Sequence, residues 1–154
     1  MTCIDYFYKL LARREYSAFE LTRKAREKGF DSKEIAETIQ ELQYKDYQSD
    51  TRFVESMITS YHGKYGKSFI KRKCWEKGIA ADLFEELWEL QNEGEETGEL
   101  GSLKAKVIRK YKINDFYVID PKTKAKLWNY LQYRGFKASE VLEKWQREQE
   151  EAME

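Results

Sequence analysis

The chain is 154 residues long, with 28 basic and 28 acidic side chains and a single proline; it can form one domain or a short array, has no net field to draw it toward nucleic acid, and contains long stretches in which nothing breaks a helix. Its two cysteines, Cys3 and Cys74, make neither a disulfide framework nor a metal-ligand spacing. No apolar run reaches the roughly 20 residues of a membrane span, and the N-terminus lacks the basic and apolar regions of a signal peptide, so a reducing, cytoplasmic location is expected.

In chain order, Ile4, Phe7, Tyr8 and Leu11 mark a first helix. Ser17 and Glu20 form a capping box for a second, whose apolar face carries Leu21 and Ala25 and which "REKGF" ends at Gly29. Asp31 and Glu34 make another capping box before a third helix with Ile35 and Ile39. Phe53, Met57 and Tyr61 mark a fourth helix. A fifth starts after Gly66, a weaker cap than Ser17, carries Ile70 and Cys74 and ends in "WEKGI" at Gly78; Phe84 and Trp88 belong to a sixth. "NEGEETGELGS", Asn92 to Ser102, is acidic and glycine-bearing and reads as a linker. "NDFYVID" could pass locally for a strand but is too short and isolated to change the class. Asp120 as N-cap and Pro121 at the first helical position open a helix with Leu127 and Leu131 that "QYRGF" ends at Gly135, and Val141 and Trp145 mark the last.

The three glycines lie 49 and 57 residues apart, and at those offsets the apolar positions also match. Eight residues before each glycine stand Leu21, Ile70 and Leu127; four before, Ala25, Cys74 and Leu131; six after, Ile35, Phe84 and Val141; ten after, Ile39, Trp88 and Trp145. The reading is an all-α chain of three tandem three-helix repeats, with repeats over 1–48, 49–91 and 103–150, an acidic linker over 92–102 and an acidic tail over 151–154. Each glycine takes the left-handed turn between a second and a third helix, and the Phe, Ile or Phe after it packs back.

Charge is segregated. Lys64, Lys67, Lys71, Arg72, Lys73 and Lys77 stand against Glu76 alone, and Lys104, Lys106, Arg109, Lys110 and Lys112 follow with no acid between them. Such runs are usually solvated helix faces, yet a basic middle on a neutral chain suits an anionic partner. Catalytic machinery is not evident: His62 reads as a surface or capping residue, Cys74 as a small core hydrophobe, and the isolated glycines build no phosphate-cradling loop. The expectation is a protein that is not an enzyme, with no cofactor, metal or small-molecule substrate.

"LLARREYSAFELTRKAREKGF", "SDTRFVESMI", "IKRKCWEKGI" and "KAKLWNYLQYRGF" resemble the RecX regulatory proteins, from about Leu10 to Trp145. The sequence departs from the family pattern at Ala25 and Cys74, where leucine is usual, at Lys67, where proline is common, and in "YKDYQSD", which lacks the usual glycine. The resemblance implies a curved, elongated all-helical protein. It also implies binding to the RecA filament on single-stranded DNA and inhibition of strand exchange, ATP hydrolysis and coprotease action in DNA repair, with weak direct DNA contact an open question. The other reading is a stand-alone DNA-binding module, since three-helix units resemble helix-turn-helix domains and basic helices can follow phosphates.

Comparison of the repeats points to a partner surface. Phe69 aligns with Glu20 and Lys126, Trp75 with Arg26 and Gln132, Trp128 with Thr22 and Lys71, and Tyr130 with Lys24 and Lys73. Aromatic rings where the other copies are polar either fill gaps between neighbouring repeats or, beside Lys64, Lys71 and Arg72, form a contact surface of the composition that binding hot spots favour.

Overall fold

The computed structural model describes residues 1–92 and 100–153, and the described residues form nine α-helices and no strand. They are α1 Cys3–Leu11, α2 Ala18–Glu27, α3 Ser32–Tyr44, α4 Asp50–Tyr61, α5 Lys67–Glu76, α6 Ala81–Asn92, α7 Gly101–Tyr111, α8 Pro121–Tyr133 and α9 Ala138–Met153. Most of the acidic linker, and the last residue of the tail, lie outside the described residues. The end of that linker is structured: Leu100 is buried and α7 begins at Gly101. The tail continues α9 through Met153. "NDFYVID" is an irregular loop that buries Phe116, whose N–H donates to the Gln149 Oε1 at 2.8 Å.

Every apolar position matched among the repeats is buried, from Leu21, Ile70, Leu127, Ala25, Cys74 and Leu131 before the glycines to Ile35, Phe84, Val141, Ile39, Trp88 and Trp145 after them. The i, i+4 stripe of each second helix thus faces a core, because one face is all that a helix of this length can bury. One core gathers Phe7, Leu21, Ala25, Ile35 and Leu42 from α1 to α3, and another gathers Leu103, Val107, Leu127, Leu131, Val141 and Trp145 from α7 to α9. Two compact units result: Met1–Thr59 with Lys73–Gln91, and Ser60–Arg72 with the described residues of 92–154. The division falls inside α4 and α5, so the second repeat contributes to both.

The glycine turns are alike in all three repeats. Gly29, Gly78 and Gly135 have φ of +90°, +81° and +87°. The residue after each donates back to the helix: Phe30 N–H to the Ala25 carbonyl at 3.1 Å, Ile79 to Cys74 at 3.0 Å and Phe136 to Leu131 at 3.0 Å. Each glycine donates to the carbonyl three residues earlier, and together these bonds absorb carbonyls that a helix end leaves orphaned. Where "YKDYQSD" lacks a glycine, Asp46 itself takes a φ of +63°, as a short polar residue can at modest cost.

The caps differ in strength. Ser17 and Glu20 form the full reciprocal box. Asp31 accepts from the N–H groups of Lys33 and Glu34, so only that half of the expected box is in place. Asp120 caps α8, with Pro121 inside its first turn.

Candidate partner-binding surface

Within the first unit, the N-terminus of α2 meets the glycine turn that ends α5. Ser17 Oγ donates to the Lys77 carbonyl at 2.7 Å, and a Cβ on Gly78 would overlap the Phe19 side chain. Glu20 is buried there, 2.9 Å from Arg14 and 3.5 Å from Lys77. Burial alone would push its carboxyl up; the hydrogen bonds from Arg14 and the Ser17 N–H, with the charges of Arg14 and Lys77, outweigh that and hold it below the usual carboxylate range. Asp50, at the start of α4, adds a cap from outside by accepting the Ala18 N–H at 2.9 Å.

The second unit builds the same junction from equivalent positions: the N-terminus of α5 meets the glycine turn that ends α8. Gly66, which aligns with Ser17, donates its N–H to the carbonyl of Arg134, which aligns with Lys77, at 2.7 Å. Ser68 Oγ donates to the Gly135 carbonyl at 2.9 Å, and the Arg134 guanidinium donates to the Lys64 carbonyl at 2.8 Å. A Cβ on Gly66 would overlap the Gly135 backbone, and one on Gly135 would overlap Phe69. Gly66 is therefore a close-approach residue rather than a poor cap: its missing side chain lets two backbones touch.

Glu20, one of the polar counterparts of Phe69, does not face solvent: its carboxylate is paired inside a junction. Phe69, at the same position, is half-buried. Its ring stacks on Tyr65 at 4.0 Å and meets Tyr61 edge-on at 5.8 Å, with the Arg72 guanidinium 5.3 Å from its centroid. Trp75 is 70% exposed, and its counterparts Arg26 and Gln132 are exposed too. Lys64 and Arg72 are exposed and Lys71 is half-buried. Trp128 and Tyr130 are half-buried and packed against the core of the third repeat. Trp128 borders a small apolar hollow with Pro121 and Ala125. Tyr130 lies under two cations, with Lys110 Nζ at 4.6 Å and the Arg134 guanidinium at 4.9 Å from its ring. His62 is exposed beside Gly63, and burial raises the Cys74 thiol to about 11, away from nucleophilic use.

Sequence reasoning missed a feature of the second unit. The C-terminal end of α7 and the flank of α8 border an open groove of about 770 Å³ whose walls carry Lys110, Lys112, Lys126, Tyr111, Tyr130 and Tyr133 and, among the described residues, no carboxylate. The basic run ending at Lys112 was the available signal, but periodicity cannot show that it faces residues 126 to 133. Among the described residues no group of His, Cys, Asp or Glu is placed to hold a metal ion, and no helix is long and apolar enough to cross a membrane.

These features define an all-helical protein of tandem three-helix repeats joined through helix N-termini and glycine turns. Residues 3–42 match the family model described as RecX, first three-helix domain. The chain is 37% identical over 139 residues to the regulatory protein RecX of Haemophilus influenzae, covering 88% of each, and 37% identical over 136 residues to that of Pasteurella multocida, covering 87% of this chain and 80% of the other. The crystal structure of RecX from Lactobacillus salivarius superposes with a TM-score of 0.75 at 19% identity, covering 94% of both chains, and shows the same fold. The chain belongs to the RecX family of regulatory proteins.

Proposed function

We propose that this protein binds the RecA nucleoprotein filament on single-stranded DNA and restrains its strand exchange, ATP hydrolysis and coprotease action, acting in the cytoplasm without catalysis of its own. The observation that carries this reading is the likeness to regulatory RecX proteins along 88% of the chain. A supporting observation is Trp75, 70% exposed where folding asks for no ring. On this reading α5 is a principal contact through Trp75, Lys71 and Arg72, with Lys64 and Phe69 lesser contributors, and Trp128 and Tyr130 form the reserve surface. An exposed tryptophan among cations offers both the apolar area and the charge that contact centres use.

The test is the single-stranded-DNA-dependent ATPase of RecA from the same organism, titrated with this protein. The rate is expected to fall at substoichiometric to stoichiometric amounts. An unchanged rate at a several-fold molar excess would refute the regulatory reading and leave direct DNA binding in its place.

A further inference from the structure

We infer that the glycine turn ending α2, at Lys28 and Gly29, is a docking site for the start of a helix on a partner protein, one that opens with a serine cap and carries an acid three residues later. The inference lies beyond filament binding through α5 and does not rest on it.

The chain holds two examples of such docking. Ser17 Oγ donates to the Lys77 carbonyl at 2.7 Å while Phe19 covers Gly78. Gly66 N–H donates to the Arg134 carbonyl at 2.7 Å and Ser68 Oγ to that of Gly135 at 2.9 Å, while Phe69 covers Gly135. The second helix of one repeat thus seats its start on the glycine turn of the next repeat, and this register leaves over the start of α8 and the turn of α2. The start of α8 is closed from within. It begins at Pro121, so Thr123, which aligns with Ser17 and Gly66, lies inside the first turn and gives its N–H to the Asp120 carboxylate at 3.3 Å. The turn of α2 is open. Among the described residues no hydrogen bond reaches the carbonyl of Lys28 or Gly29, and nothing lies within 4 Å of a Cβ placed on Gly29.

Charge complementarity specifies the occupant. The carbonyl end of a helix is negative and the N–H end of another is positive, so a helix start is attracted to this turn. Lys28 aligns with Lys77, which stands 3.5 Å from Glu20 of the helix docked on it. Lys28 is exposed, 5.6 Å from the Tyr6 ring, and pairs with no carboxylate among the described residues. The flanking acids are engaged elsewhere, Glu27 with Arg23 at 3.8 Å and Asp31 with the N–H groups that open α3. A capping box on the partner, serine followed three residues later by glutamate, would meet the free carbonyls and Lys28 as Ser17 and Glu20 meet Lys77. A second copy of this chain has no second helix to offer, because its Ser17 and Gly66 are already seated and its α8 is closed.

The test is amide chemical-shift mapping on the full, isotope-labelled chain. The probe is a peptide copying residues 16–28 in which Leu21 and Ala25, the pair that faces the core in the parent, are replaced by a hydrocarbon staple so that it is helical alone. Shifts are expected at Lys28, Gly29 and Phe30. Ser17→Ala in the peptide should weaken binding about fivefold, the scale of a lost helix cap. Lys28→Glu in the protein should weaken binding of the original peptide about fivefold at an unchanged melting temperature, and a Glu20→Lys peptide should recover it. The inference is overturned by an absence of shifts at millimolar peptide, by shifts confined to other residues, by a scrambled stapled peptide that binds equally well, or by a charge swap that recovers nothing. It is equally overturned if sedimentation shows a dimer of the parent that Lys28→Glu dissolves, which would make the occupant a second copy.

Discussion

Replacing the repeat glycines one at a time separates what the turn requires from what the junction requires. Gly29 and Gly135 share a left-handed backbone, φ +90° and +87°, so alanine at either position meets the same intrinsic cost, about 1–2 kcal/mol less some gain from a stiffer unfolded chain. Their surroundings differ. Among the described residues nothing lies within 4 Å of a Cβ placed on Gly29, whereas one on Gly135 overlaps the backbone of Phe69, which no rotamer change can move. Relief at Gly135 means separating α5 from the turn, which strains the 2.7 Å bond from Gly66 to Arg134 and the 2.9 Å bond from Ser68 to Gly135, each contributing about 1 kcal/mol. We therefore expect Gly29→Ala to cost about 1 kcal/mol and Gly135→Ala about 3–4 kcal/mol. For a chain of this length that is a fall in melting temperature of ~2–4 °C against roughly 10 °C. Thermal unfolding followed by far-ultraviolet circular dichroism measures both. Equal losses at the two sites would refute the junction argument, and no loss at Gly29 would refute the left-handed turn.

Trp75→Ala should keep its melting temperature within a few degrees of the parent yet weaken inhibition of the RecA ATPase about thirtyfold, as loss of an interface tryptophan on the order of 2 kcal/mol would; a variant that unfolds would instead show Trp75 to be core. Glu20→Gln should destabilise by about 2 kcal/mol near neutrality, the scale of a charge-assisted hydrogen bond. Because the folded-state pKa of Glu20 is lowered, this stability is present above the unfolded-state value and is lost as pH falls through the folded-state value. The gap between parent and variant should therefore close in acid, and a gap independent of pH across that range would show that pairing is not its source. Cys3 and Cys74, both buried and with thiol pKa values raised chiefly by burial, should react with an aromatic disulfide reagent at mildly alkaline pH only as fast as the chain opens; rapid labelling without denaturant would contradict their core placement.

Local chemistry was legible in the residue order. Helix faces, N-caps and glycine stops act within one or two turns of chain, so Leu21 with Ala25, Leu127 with Leu131, Ser17 with Glu20, Asp120 with Pro121 and the three glycines declare their roles through spacing alone. The repeat register follows from them, and with it the all-helical class. What decides the candidate surfaces acts over longer distances. Ser17 meets Lys77, Ser68 meets Gly135 and Arg134 meets Lys64 across 60, 67 and 70 residues, and no periodicity records which repeat end will touch which helix start. Only the folded chain shows that Gly66 is bare so that two backbones can meet, that Glu20 is polar because it is paired, and that Phe69 is taken up by Tyr65 while Trp75 is left in solvent. The groove belongs to the same class, because Lys112 lies just past the end of α7 and Tyr133 in the last turn of α8, and only the packing of α7 on α8 gives them a common wall.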